Sequence, residues 1–217
     1  MIPRKALVVG ATGLVGSHLL RNIFNNPAYS EVTSLVRKRS LITHRKLKEV
    51  ITDFNNLEKT LSTITANDVF CCLGTTIKKA GSQKAFRKVD FSLVVDVAKV
   101  MKKQGAEQFI VISAMGANSN SKVFYNRIKV EMEEAVQEIG YKCVRIIRPS
   151  LLLGQREEFR LGERIGILMS PLWQLLLVGS LKKYRPVEAE AVARFMVKVA
   201  HEEPAVGVHV YENYQVG

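Results

Sequence analysis

The sequence predicts an α/β protein: a doubly wound parallel sheet with helices on both faces, formed as a single domain over residues 1–217. Three observations lead there. Short apolar runs alternate with amphipathic stretches almost from end to end, and repeated β-α units with short connections imply a parallel sheet covered on both sides. A glycine-rich turn directly follows the first apolar run. A chain of 217 residues, 47% apolar and 24% charged, suits one well-buried core and is short for two.

Taken in order, Lys5–Val9 reads as a strand buried on both faces,. Gly13–Phe24 follows as a helix, with Leu14, Val15, His18, Leu19 and Ile23 at helical spacing,. Val32–Val36 and Glu49–Thr52 are strands flanking a basic loop, and a short helix over Leu57–Ile64 leads to a strand at Val69–Leu73. Gln83–Gln104 reads as one long amphipathic helix with Phe86, Val89, Leu93, Val97, Val100 and Met101 on its apolar stripe,. A strand at Gln108–Ser113, a helix at Val123–Ile139 and a strand at Cys143–Ile147 complete the regular series. Beyond Gly154 the rhythm loosens, with a helix at Val187–Ala200 and a last strand at Val208–Tyr211; residues 155–217 are expected to supply small substrate-side elements.

The turn after the first strand is Gly10-Ala11-Thr12-Gly13-Leu14-Val15-Gly16. A tight exit at Gly10, close backbone approach at Gly13 and close helix–strand packing at Gly16 let main-chain amides and the positive helix end hold a pyrophosphate. This spacing is a variant of the dinucleotide fingerprint, and its place between strand and helix makes the sheet Rossmann-type. The end of the second strand selects the dinucleotide, because NAD sites place an acid there and a 2′-phosphate needs cations. Here stands Ser34-Leu35-Val36-Arg37-Lys38-Arg39. With Arg37 available for a forked contact to phosphate, NADP(H) is favoured over NAD(H).

Ser113 ends a central strand, and Tyr125 and Lys129 follow on a helix, four residues apart and so on one face,. A phenol titrates near pH 10 unaided; a neighbouring ammonium stabilises its phenolate. Tyr125 is then the candidate proton donor to a carbonyl, Ser113 the group that holds the carbonyl oxygen, and Lys129 the activating amine that also anchors the nicotinamide ribose.

In these residues the chain resembles the short-chain dehydrogenase/reductase superfamily, and within it the small atypical Tat-interacting-protein-type oxidoreductases. The resemblance rests on the glycine loop, Arg37, Asp53, Leu73-Gly74-Thr75, Ser113, Tyr125 with Lys129, and Arg148-Pro149, together with the runs Phe109–Ala117 and Arg148–Gly154. It implies that Asp53 and Phe54 flank the adenine, that Leu73, Gly74 and Thr75 line the ribose, and that Pro149, Ser150 and Leu151 pass beside the nicotinamide. Thr12, Leu14 and Val15 join the glycines in holding the cofactor. One departure stands out: where many members carry an Asn on the long helix for a proton relay, this chain has Val89-Asp90.

The implied activity is NADPH-dependent reduction of a small carbonyl compound. The alternative is an NADPH-binding redox sensor or scaffold without efficient turnover. A sugar-nucleotide epimerase is disfavoured, since about 60 residues follow Gly154,. The substrate pocket falls to the loops after Ser113 and Pro149 and to Ile165–Val178, whose apolar character suggests a hydrophobic ligand.

Bulk properties set the remaining expectations. The net charge of +12 permits polyanion binding, but its residues are spread and no nucleic-acid motif accompanies them, so no specific nucleic acid is expected. Three cysteines, Cys71 and Cys72 adjacent, make no disulfide framework; they suggest core packing, a reducing compartment and a cytoplasmic protein. Histidines 18, 44, 201 and 209 are scattered, which argues against a metal,. The apolar run before Gly10 is too short for a signal peptide. Ile165–Val178, with Trp173, is 14 residues, short of the roughly 18 to 20 that span a bilayer. It reads as a buried helix, an interfacial helix or a subunit contact, which leaves a homodimer open.

Overall fold

Each apolar run is followed by a helix that carries the chain back over the sheet, so successive strands can only pair in parallel. The computed structural model describes residues 3–154, 184–203 and 206–216. Its strands are β1 (Arg4–Val9), β2 (Tyr29–Val36), β3 (Leu47–Ile51), β4 (Asp68–Cys71), β5 (Gln108–Ile112), β6 (Cys143–Arg148), β7 (Leu152–Leu153), β8 (Val187–Glu188) and β9 (Gly207–Glu212). Seven of them form one sheet in the order 3-2-1-4-5-6-9, every neighbouring pair parallel. The other two make a small separate pair, with Leu152 opposite Val187 and Leu153 opposite Glu188.

The helices are α1 (Leu14–Asn25), α2 (Leu57–Leu61), α3 (Ile77–Ala80), α4 (Gln83–Arg87), α5 (Leu93–Lys103), α6 (Phe124–Gln137), α7 (Ala189–Val199) and α8 (Asn213–Val216). Strand alternation divides the core in two. Ala6 and Val8 of β1 and Ile110 of β5 face one side, under Leu19, Leu20 and Ile23 of α1 and Val192 and Met196 of α7. Leu7 and Val9 and then Phe109 and Val111 face the other, under Leu61 of α2, Val94, Val97 and Met101 of α5, and Met132 and Val136 of α6. Each such Val, Leu, Ile, Phe or Met side chain contributes about 1.5–3 kcal/mol on burial. At the start of β4 a charge lies inside: fully buried Asp68 accepts from Arg4 Nε at 2.7 Å and Nη2 at 2.6 Å and from the Tyr29 hydroxyl at 2.8 Å.

Strand positions agree with the sequence reading to within a few residues. The long helix does not stay uninterrupted: Lys88–Ser92 between α4 and α5 is a π turn. The wider turn rotates the buried stripe, so Asp90 and Val94 point inward while Val89 and Leu93 are only half-buried,. Val187 begins β8 rather than a helix, because its backbone pairs with Leu152, a partner too distant in sequence to be read from local pattern. Ile165–Val178 and Trp173 lie outside the described residues. Among the described residues no helix is long and apolar enough to cross a membrane.

Candidate functional site

In a doubly wound sheet the ligand crevice opens at the carboxyl ends of the strands, where the strand order reverses. Here that is between β1 and β4. Apart from Tyr125 and Lys129 on α6, the sequence-predicted positions follow the carboxyl ends of strands at this rim. The glycine loop follows β1, Arg37 follows β2, Asp53 and Phe54 follow β3, Leu73, Gly74 and Thr75 follow β4, Ser113 follows β5 and Pro149 follows β6.

Two of the three loop glycines are required by the fold itself. Gly10 has φ +83°, and a Cβ there would lie 2.6 Å from the Cys72 carbonyl oxygen. A Cβ on Gly16 would lie 2.2 Å from the Gly10 oxygen and 2.8 Å from Ala11 Cα. Gly13 differs: its φ of −79° suits any residue, and its Cβ would meet only the Gly10 oxygen at 3.2 Å. Thr12 and Gly13 are exposed at the tip, Leu14 is half-buried and Val15 is in the core. Helix α1 starts with no side-chain cap and no acid in its first turn. Its first amides are thus left for an external acceptor, at the positive end of the helix.

Arg37 is exposed, with no ion-pair partner among the described residues. The nearby acid Glu49 of β3 is turned to Ser40, accepting from its hydroxyl at 2.6 Å. Exposed Asp53 accepts from Asn55 N and Nδ2, both at 2.9 Å, and these bonds hold its carboxyl below the usual range. Phe54 has φ +63°, the one non-glycine residue with positive φ among those described.

Helix α6 presents Tyr125 and Lys129 on one face, with Lys129 Nζ 5.9 Å from the Tyr125 ring centroid. Buried Phe86 of α4 backs the Tyr125 ring at 5.4 Å. The Ser113 amide donates to the Ile147 carbonyl at 2.8 Å, and Met115 N donates to the Pro149 carbonyl at 2.9 Å, drawing the ends of β5 and β6 together. The Ser113 hydroxyl is buried and has no hydrogen-bond partner among the described residues.

A residue that the sequence reading noted only as a departure belongs to this group. Asp90, buried in the π turn, places Oδ1 2.8 Å from Lys129 Nζ, and its Oδ2 accepts from Thr75 N at 2.8 Å. Burial alone would lower the Lys129 pKa; Asp90, then Tyr125 and Cys71, more than offset this, and the amine titrates above its ordinary value. Cys71 packs in the core, where burial pushes its thiol up to about 12. The segment after β6 has its own unforeseen support. Asn213, buried at the start of α8, accepts from Ser150 N at 2.9 Å and donates to the Arg185 carbonyl at 2.8 Å. Its only sequence signal is a polar residue closing the last strand, which many loops share.

These residues fit a dinucleotide on observable grounds: an uncapped helix start over an open glycine, and an unpartnered buried hydroxyl at the adjoining strand end. Among the described residues no group of three or more His, Cys, Asp or Glu could hold a metal.

Comparison with known proteins agrees. Residues 10–162 match the family described as NAD(P)H-binding. The chain is 30% identical over 205 residues to Protein FMP52, mitochondrial, of Candida albicans, covering 90% of this chain and 87% of that protein. It is 32% identical over 164 residues to Protein HTATIP2 of Rattus norvegicus, covering 74% and 67%. Among solved structures, MoeE5 in complex with UDP-glucose and NAD superposes with a TM-score of 0.71 at 17% identity, over 95% of this chain and 74% of that one. The oxidoreductase ylbE from Lactococcus lactis gives 0.69 at 19% identity, over 96% and 90%. At such identities these two show the shared fold alone.

The relatives correct one expectation. Several FMP52 proteins carry the word mitochondrial in their names, so the cytoplasmic placement falls. Free cysteines separate reducing from oxidising compartments; they do not separate one reducing compartment from another. The glycine cradle, the switch-point rim and the matched span together make this chain a member of the NAD(P)H-binding family, on the short-chain dehydrogenase/reductase branch that includes the FMP52 and HTATIP2 proteins.

Proposed function

We propose that the chain is an NADPH-dependent oxidoreductase that reduces a carbonyl-type small molecule. The observation that carries this reading is the buried Ser113 hydroxyl, unpartnered among the described residues, at the rim directly after β5, the strand beside switch-point strand β4. An unsatisfied buried donor is unfavourable by about 1–3 kcal/mol, and it gains its partner when a substrate carbonyl oxygen arrives.

The amides at the start of α1, with Gly10, Thr12, Gly13, Leu14, Val15 and Gly16 around them, hold the pyrophosphate. Arg37 meets the 2′-phosphate, Asp53 and Phe54 border the adenine, Leu73, Gly74 and Thr75 line the ribose, and Pro149 borders the nicotinamide. Absence of an acid at the end of β2, with Glu49 engaged by Ser40, supports NADPH over NADH,. When bound, the reduced dinucleotide supplies a hydride to the substrate carbon. Tyr125 gives its hydroxyl proton to the carbonyl oxygen, Ser113 donates a hydrogen bond to that oxygen, and Lys129 keeps positive charge beside the phenol and the ribose. Hydride and proton together convert carbonyl to alcohol. A mitochondrial setting follows the names of the FMP52 relatives and is checked by fractionating cells that express the tagged chain.

The test is NADPH oxidation with a panel of aldehydes and ketones, run beside Tyr125→Phe. Turnover lost in the variant while NADPH binding persists supports the reading. Saturable NADPH binding without any Tyr125-dependent turnover contradicts it and points to a sensor.

A further inference from the structure

We infer that Asp90 is the positioning residue of the nucleotide site: its carboxylate bridges the ammonium of Lys129 and the backbone amide of Thr75, so one side chain sets both the lysine and the turn after β4. The inference deepens the oxidoreductase reading and rests on it.

A bland ion pair would not be built this way. Both partners are almost completely buried, with side-chain exposures of 3% and 1%, and a buried pair is often no more stabilising than the apolar residues that could replace it. The helix also departs from regular geometry at this point. Asp90 lies in the π turn Lys88–Ser92, which turns the carboxylate inward at a position the apolar stripe assigns to neighbouring Val89. The two oxygens are divided rather than spent on one partner: Oδ1 is 2.8 Å from Lys129 Nζ, and Oδ2 takes the Thr75 amide at 2.8 Å. The Oδ1 atom also lies 3.6 Å from where a Cβ on Gly74 would sit. Two segments assigned to the ribose, Lys129 and Leu73-Gly74-Thr75, are thereby linked through a single carboxylate.

The link has a consequence in pH. The groups facing Lys129 are Asp90 from the π turn, Tyr125 from its own helix and Cys71 from β4. Cys71 stays a neutral thiol, because burial pushes it up to about 12. Asp90 is therefore the chief group that opposes desolvation of the ammonium. Without it the amine loses its proton at lower pH, and the site loses its cation as pH rises.

The test is NADPH titration of the full chain, wild type and Asp90→Asn, across pH. Asp90→Asn is expected to bind within about threefold of wild type near pH 6 and about tenfold or more weaker near pH 9, since one unit of pKa shift is a factor of ten. Asp90→Glu, which keeps the carboxylate, is expected to recover most of the alkaline binding. An Asp90→Asn profile parallel to wild type, whether unaltered or uniformly weakened, overturns the inference alone. A wild type that binds no NADPH at any pH overturns the oxidoreductase reading and this inference with it. If Asp90→Asn does not fold, the Tm of Lys129→Met with and without Asp90→Asn decides. The bridge predicts a higher Tm for the double variant, which relieves an unpaired buried carboxylate, and an equal or lower Tm overturns it.

Discussion

Arg148 at the end of β6 donates to both carboxylate oxygens of Glu133 on α6, from Nε to Oε1 at 3.0 Å and from Nη2 to Oε2 at 2.5 Å. The same guanidinium reaches Glu212 of β9 at 3.0 Å. Glu133 stands one turn beyond Lys129, and Arg148 immediately precedes Pro149. The forked pair therefore holds α6, which carries Tyr125 and Lys129, against the end of β6 that leads to Pro149. Such two-point contacts fix angle as well as distance.

Glu133→Gln breaks this clamp while keeping volume. Glu133 is 1% exposed, so its loss leaves Arg148 with only the half-exposed Glu212 among the described residues, and stability is expected to fall by about 3 kcal/mol. Urea unfolding of both proteins reads this as a lowered midpoint at unaltered slope. A midpoint equal to wild type would show that the clamp contributes nothing.

Gly13 and Gly16 should separate binding from folding. Gly16→Ala drives a Cβ to 2.2 Å from a backbone oxygen, and is expected to lower stability by about 3 kcal/mol or more. Gly13→Ala needs a shift of a few tenths of an ångström at 3.2 Å, and is expected to change stability by about 1 kcal/mol or less. Its methyl would nevertheless stand at the proposed pyrophosphate site, so NADPH affinity should drop at least about tenfold. Thermal unfolding and NADPH titration on the same samples check both halves.

Ser113→Ala is expected to leave stability unchanged or raised by about 1 kcal/mol, because it removes a buried hydroxyl that has no partner among the described residues,. Turnover with an active carbonyl compound should fall about 100-fold or more, as for removal of an oxyanion donor. A stability loss without a turnover loss would make Ser113 a packing residue.

Arg37→Asp reverses the charge where the 2′-phosphate is expected. The ratio of NADPH to NADH affinity should fall by about 100-fold, the loss of one charge-assisted contact joined to a new repulsion. An unaltered ratio would place recognition of the extra phosphate elsewhere on the rim.

Much of this was legible in the sequence, for physical reasons that differ by element. Strands β1, β4, β5 and β6 are short apolar runs buried on both faces, and their turns carry glycine or proline, so their places and the rim residues after them could be read directly. The spacing of Tyr125 and Lys129 put them on one helical face, and the structure keeps them there. The π turn could not be read, because a one-residue change of helical phase leaves composition and periodicity almost intact. That turn hid Asp90, which in a regular helix would be counted as a polar neighbour of the stripe. Asn213, Glu133 and the β7–β8 pair were equally out of reach, since each is defined by a partner distant in the chain. Location failed for a different reason: thiol usage reports redox state, and more than one compartment is reducing.

The most direct measurement is a crystal structure of the chain with NADPH. The account predicts the pyrophosphate on the amides at the start of α1 beside Gly13, with the nicotinamide ring on the side of Ser113 and the Tyr125 hydroxyl, leaving room for a carbonyl between them. A dinucleotide bound away from the β1–β4 crevice, or with its nicotinamide turned from Tyr125, would contradict it.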